Sequence, residues 1–152
     1  MFGIEYAVLR PSNVYGEGQR LQIGQGVIGV MADRALRGEP LELWGNGTTL
    51  RDYLHVSDMV AAVMRLISYR GTTKIFNVSS GVGHSVLDII AILRSLLPNF
   101  PEVVRKPERG FDVPSNVLDS SKLRMETGWE PTVSLHEGIA RTVEAMKQSY
   151  MR

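Results

Sequence analysis

The sequence contains no cysteine. That excludes a disulfide framework, a zinc-thiolate site and a thiol nucleophile, and it fits a reducing compartment. No apolar run approaches the roughly 20 residues needed to span a bilayer. No block of like charges exists either. The densest basic stretch, Arg105-Lys106 with Arg109, is broken by Pro107 and Glu108 and is too small for a polybasic anchor. With a formal net charge of +1, the chain carries no strong electrostatic footprint for nucleic acid or membrane. Its first residues, Met1-Phe2-Gly3-Ile4-Glu5, show no basic n-region and no apolar h-region. A cytoplasmic location is therefore the expectation.

What is present reads as one α/β unit. The 152 residues are enough for a single domain with a core. Ile4 to Leu9 is a β-prone run ended by Arg10-Pro11, and a domain that opens on a buried strand suggests that something precedes it. Residues 10–22 are polar, carry Gly16 and Gly18, and read as a loop. Val27 to Leu36 has helical spacing, with Val27, Val30, Met31 and Ala35 on one side and Gly38 as the stop. Leu41 to Trp44, the turn Gly45-Asn46-Gly47 and Leu50 to Val56 read as a strand, a tight turn and a returning strand. Ser57-Asp58 is placed to cap a helix through Tyr69 with Val60, Val63, Met64 and Ile67 on its apolar face. Lys74 to Val78 is a further strand.

The carboxy-terminal part is less regular. Ser85-x-x-Asp88 resembles a capping box and opens a helix, Val86 to Leu97. Pro98, Pro101, Pro107 and Pro114 punctuate the next stretch, where Val103-Val104 and Asn116-Val117-Leu118 are the strand candidates. Asp119 is read as the cap of a helix Ser120 to Thr127, stopped by Gly128. Ser134-Leu135-His136-Glu137 is a capping box for a last helix to about Gln148. The alternation of strands and helices points to α/β architecture.

Several patterns suggest chemistry. Gly24-Gln25-Gly26-Val27-Ile28-Gly29 matches G-x-G-x-x-G, but the dinucleotide mechanism needs a strand immediately before the first glycine. Arg20-Leu21-Gln22-Ile23 makes a poor central strand, which favours a loop leading into an amphipathic helix. Asp52, His55 and Asp58 have a spacing that could ligate a metal. Yet three residues along a strand send Asp52 and His55 to opposite faces, and Asp58 fits a helix cap. His84 and His136 lie alone at helix starts. Ser12, Asn13 and Tyr15 follow a strand end, where ligands bind in open α/β sheets; a simple turn is the other reading. Arg51 and Arg109 offer planar forks suited to phosphate, or are solvated surface charges.

Taken in order, these pieces resemble the nucleotide-sugar epimerases and dehydratases of the extended short-chain dehydrogenase/reductase family, UDP-glucose 4-epimerase among them. Leu9 to Gly16 is similar to that family's R-x-x-N-x-Y-G segment. Gly38 to Gly47 resembles its G-x-P-L-x-I-x-G-D-G hairpin, and Arg51 to Asp58 its R-D-[FY]-[IV]-x-V-x-D run. Phe76 to Gly81 looks like Y-N-[IV]-G-x-G. Asp119 to Lys122 and Gly128 to Pro131 resemble D-x-S-K and L-G-W-x-P. The resemblance spans nearly the whole chain. It implies the carboxy-terminal part of a Rossmann-type fold, its last strands interleaved with a small α/β substrate-binding domain, over residues 1–152.

It also implies roles. Asn13 would hydrogen-bond the substrate diphosphate. Pro11, Ser12 and Val14 would border the nicotinamide of NAD. Val27 and Ile28 would lie near the diphosphate and base, with Glu42 and Trp44 flanking the base. Arg51 and Arg109 would clamp the two phosphates. Asp112 would contact the ribose, and Asn116 would lie near the sugar. The substrate expected is a UDP-sugar. Homodimers are implied for the full-length enzymes, and self-association or strand swapping for a fragment.

The departures matter as much. The family's glycine-rich NAD fingerprint belongs roughly one domain-length upstream and is absent. So is the catalytic Tyr-x-x-x-Lys: Tyr6, Tyr15, Tyr53 and Tyr69 are followed four residues on by Arg10, Gln19, Ser57 and Thr73, and Tyr150 runs off the end. Phe111 stands where a glycine is usual and Thr127 where a leucine is usual. In such enzymes a tyrosine takes the sugar hydroxyl proton while NAD accepts hydride from the same carbon. The expectation is a chain that binds and orients the substrate, holds no catalytic residue and no metal, and is inactive alone. An epimerase portion, a dehydratase portion and a non-catalytic nucleotide-sugar module all remain open.

Overall fold

The computed structural model describes residues 5–19, 26–108, 110 and 113–151. The first strand, β1 (Val8–Pro11), pairs in parallel with β5 (Ile75–Val78). It starts later than the expected Ile4 and includes Pro11, which sits opposite Val78 at the strand's end, where a missing N–H costs little. The stretch expected to be a loop contains a second strand, β2 (Asn13–Tyr15), parallel to β4 (Leu50–His55). The Gly45-Asn46-Gly47 turn does form, with Gly45 and Gly47 at φ 66 and 75. It does not make a hairpin. β3 (Leu41–Trp44) pairs with β7 (Val103–Lys106) instead, so the turn carries the chain from one sheet to another.

β4 is the centre of the other sheet. Besides β2, it takes β6 (Gly83–His84) antiparallel and β8 (Ser115–Asn116) parallel. Asp52, Tyr53, Leu54 and His55 are buried consecutively instead of alternating. Both faces of the strand are covered, since α2 (Val56–Ile67) and α5 (Leu135–Tyr150) pack against it.

The helices follow local signals more closely. α1 (Val27–Leu36) has the expected bounds and ends where Gly38 adopts φ 70. Its buried stripe is Ile28, Met31, Ala32 and Ala35, rotated from the expected one, with Val30 only half-buried. α3 (Val86–Leu96) opens on a complete capping box, Ser85 and Asp88 each bonding the other's backbone. In α5, Ser134 Oγ accepts from Glu137 N at 3.2 Å. α4 (Ser121–Thr127) starts one residue later than expected, with Ser120 as its cap residue; Asp119 accepts from Ser121 N at 2.8 Å. The remaining strands are also displaced from the sequence reading: β7 runs on to Lys106, and β8 is Ser115–Asn116. His84 is a strand residue in β6.

α2 departs most. β4 runs straight into it, so His55 is the cap residue and its Nδ1 accepts from Ser57 N at 3.3 Å. Ser57 and Asp58 do not cap it. The buried face is Asp58, Ala62 and Leu66, while Val60, Val63, Met64 and Ile67 are exposed. The apolar stripe seen in the sequence is real, but nothing among the described residues covers it. Tyr6, Val8 and Ile75 are exposed as well.

Two apolar clusters hold the fold. One gathers Ile28, Met31, Leu41, Leu43, Ile89, Leu93, Ile139 and Val143 with Tyr15 and Tyr53. The other joins Leu54, Ala62, Leu66, Phe76, Val78, Leu123 and Trp129. Full burial of side chains of this size stabilises by about 1.5–3 kcal/mol each. No helix among the described residues is long and apolar enough to cross a membrane.

Candidate functional site

A cleft of about 350 Å³ opens between β2, β3, β4 and the start of α1. Its walls include Asn13 and Val14 from β2, Val27 and Ile28 from α1, Glu42 and Trp44 from β3, and Arg51 from β4. Parallel pairing sets Asn13 opposite Tyr53, next along the strand from Asp52. Asn13 Nδ2 donates to the main-chain oxygen of Asp52 at 2.8 Å. Arg51 Nη1 donates to the main-chain oxygens of Leu50 at 2.9 Å and Val113 at 2.7 Å. Trp44 is 41% exposed, a large ring at the edge of the cleft. Beside it, Glu42 lies 3.8 Å from Lys106 Nζ.

Asn116 does not line the cleft, but pairing of β8 with β4 places it beside Arg51. Pro11 and Ser12 also lie outside it, at the end of β1, where Ser12 N donates to Val78 O at 3.0 Å. Ser12 Oγ is buried and has no hydrogen-bond partner among the described residues. Arg109 and Asp112, and Arg20 to Gln25 with the first glycine of the G-x-G-x-x-G match, lie outside the described residues.

Thr49 and Tyr53 also line the cleft and were not singled out in the sequence. Thr49 follows the glycine turn and has no pattern of its own. Tyr53 looked like an ordinary strand aromatic. Burial holds its phenol proton more tightly than usual, with Arg51 opposing the shift. Tyr15 is raised further still, by burial first and then by the carboxylates of Asp58 and Glu17. Neither phenol is set up to act as a base at neutral pH.

The residues with metal-like spacing each have separate partners. The Asp52 carboxylate bonds Ser80, Gly81 and Leu118. His55 faces Ser57 and Glu17. Asp58, expected to cap α2, instead accepts from Thr132 N, Thr132 Oγ1 and Val133 N at 3.1, 2.9 and 3.0 Å. Among the described residues no group of three or more His, Asp or Glu side chains is placed to hold a metal ion.

The model of the NAD dependent epimerase/dehydratase family matches residues 1–79, the stretch that supplies every lining residue of the cleft except Val86. The chain belongs to this family. It superposes on the crystal structure of the UDP-glucose 4-epimerase of Thermotoga maritima, determined with UDP-glucose, with a TM-score of 0.91 at 37% identity, covering 98% of this chain and 48% of that one. The UDP-glucose 4-epimerase of Mycolicibacterium smegmatis is 33% identical over 146 residues, 95% of this chain and 46% of its own. A dTDP-4-dehydro-6-deoxyglucose reductase of Escherichia coli is also 33% identical, over 91% of this chain and 44% of its own. The chain thus spans about half the length of the family members it matches. Its mixed α/β architecture, with parallel strand pairs, is that of the Rossmann-type epimerases.

Proposed function

We propose that the cleft binds a nucleotide sugar, a UDP-hexose, and that the chain is the substrate-binding portion of an NAD-dependent sugar 4-epimerase. The observation that supports this reading is convergence. Asn13, Val27, Ile28, Glu42, Trp44 and Arg51 come from separate stretches of sequence and meet in one cleft. Asn13 and Arg51 would face the diphosphate, the latter as a planar charged donor. The first turn of α1 would add main-chain N–H groups; its cap residue Gly26 makes no side-chain bond and the turn has no acidic residue. Glu42 and Trp44 would flank the base. Arg109 would be the second phosphate arm, Asp112 the ribose contact and Asn116 the sugar contact.

Pro11, Ser12 and Val14 would border the nicotinamide of NAD. The orphaned Ser12 hydroxyl suits a position against a polar group that is not part of this chain. When bound, NAD would accept the hydride from the sugar carbon. This chain's residues would hold and orient the substrate, because it carries neither Tyr-x-x-x-Lys nor the glycine-rich fingerprint. Its exposed apolar surface on α2, β1 and β5 supports self-association of the chain alone; for a full-length enzyme, homodimers would follow from the family resemblance.

A second reading, a dTDP-sugar enzyme, is supported by the equal identity to the Escherichia coli dTDP-4-dehydro-6-deoxyglucose reductase. Calorimetric titration with UDP, dTDP and UDP-glucose separates the two. UDP and UDP-glucose should bind and dTDP should bind more weakly. No binding of either nucleotide would remove the reading. Turnover of UDP-glucose with added NAD should stay at background; substantial turnover would show that catalytic groups exist here after all.

A further inference from the structure

We infer that Asp52 is a positioning residue for this cleft: its buried carboxylate fixes the 115–118 segment beside Arg51, and its main-chain oxygen orients Asn13. The inference rests on the nucleotide-binding reading above.

Asp52 is fully buried. Its Oδ1 accepts from Ser80 N at 3.0 Å and Ser80 Oγ at 2.7 Å, and its Oδ2 accepts from Gly81 N at 3.1 Å and Leu118 N at 3.3 Å. A charge without water is tolerated where donors converge like this. The geometry does more than satisfy the charge. Leu118 is two residues beyond Asn116, which pairs with Arg51. At the other end of the same segment, Arg51 holds Val113 O. Two adjacent side chains of β4 therefore grip opposite ends of the 113–118 stretch. On β4's other edge, Asn13 spends one amide hydrogen on the Asp52 carbonyl. That fixes the amide plane and aims its second hydrogen. Any movement of β4 at Asp52 shifts Asn13, Arg51 and Asn116 together.

Asp58 provides the control. It too is buried, it too gathers main-chain N–H groups and a hydroxyl, and Trp129 Nε1 donates to its carbonyl at 3.1 Å. Its partners, however, lie in the 129–133 segment, none of which lines the cleft. Replacing either Asp by Asn turns one acceptor oxygen into a donor facing donors, so both variants lose comparable bonding.

The experiment compares Asp52→Asn and Asp58→Asn in the 152-residue chain by UDP titration, thermal melting and amide hydrogen exchange. Loss of bonds to a charged group predicts about tenfold or greater weakening of UDP binding in Asp52→Asn. Exchange should accelerate at Gly81 and over 115–118. Asp58→Asn, with a similar fall in melting temperature, should keep UDP affinity within about twofold of the parent. Unchanged affinity in Asp52→Asn, or an equal loss in Asp58→Asn, overturns the inference. If Asp52→Asn does not fold, Ser80→Ala removes one donor to the Asp52 carboxylate, along with the hydroxyl's bonds to Val82, and should weaken UDP about threefold; no weakening overturns it. If the parent chain does not bind UDP, the nucleotide reading fails on its own. Exchange then decides the positioning role, and equal protection of 115–118 in the two Asn variants overturns it.

Discussion

The side chain of Asn13 and the main-chain oxygen of Asp52 are joined across the parallel β2–β4 pair at 2.8 Å. An Asn amide has two N–H donors, and this bond uses one. The other is oriented by it. Asn13→Asp would replace both donors with acceptors, one of them against the Asp52 carbonyl. UDP affinity should fall further in Asn13→Asp than in Asn13→Ala, because the added charge also repels the diphosphate. Isothermal titration of both variants checks the order.

Arg51 joins the segment from Val113 to the cleft and brings a delocalised positive charge to it. Arg51→Ala should weaken UDP by about 1.5–3 kcal/mol, the usual range for hydrogen bonds to a charged group. Arg51→Lys should restore little of this, since an ammonium cannot reproduce the planar fork. Equal affinity of the Lys variant and the parent would show that only charge matters.

The capping box of α3 gives a pH dependence. The Ser85 main-chain N–H, and then its hydroxyl, hold the Asp88 carboxyl below the ordinary carboxylate range. A depressed pKa in the folded state stabilises fully above the unfolded value and is lost as pH falls through the folded one. Asp88 is exposed, and solvent screening limits the effect, so Asp88→Asn should cost about 0.5–1 kcal/mol at pH 7. The gap between variant and parent should close on acidification below about pH 4. Urea melts at several pH values read this directly.

Gly138 in α5 faces Tyr15 and His55, and a methyl group there would fall on the Tyr15 hydroxyl. Gly138→Ala should therefore destabilise by about 1–3 kcal/mol despite the better helix propensity of alanine. A stabilised Gly138→Ala in chemical denaturation would contradict the packing of α5 on β2 and β4.

The exposed stripe on α2 predicts association. Val60→Lys with Met64→Lys should shift the chain toward monomer in light scattering, without loss of helix content, because neither side chain is buried.

The helices were legible because their signals are local. The Ser85 and Ser134 caps and the Gly38 stop lie within a few residues of what they end or begin. Strands β3, β4 and β5 lie close to where the sequence places them, but their partners were not legible, because parallel pairing is decided by distant residues. The Gly45–Gly47 turn has a good hairpin signature, yet Leu41 finds Val103, and β2 exists only because β4 lies beside it. On α2 the sequence pattern showed an apolar stripe but could not show which face the described fold covers. Of the cleft, Asn13 and Arg51 stood out by residue type and place, each with a plain turn or surface reading beside it, and Trp44 was visible only through ordered motifs. Thr49 carries no such mark, and Tyr53 sits in the Arg51–Asp58 run as an ordinary strand aromatic; their places in the cleft follow from the turn and the sheet.

The walls of the cleft belong to different sheets. Glu42 and Trp44 ride on β3 with β7, while Asn13 and Arg51 ride on β2 and β4. The five residues Gly45–Thr49 are the direct covalent link between β3 and β4, and Gly45 and Gly47 in that link take backbone angles that other residues resist. A ligand touching both walls therefore acts as a rivet between two plates. Its grip depends on how far apart that short glycine link lets the plates stand.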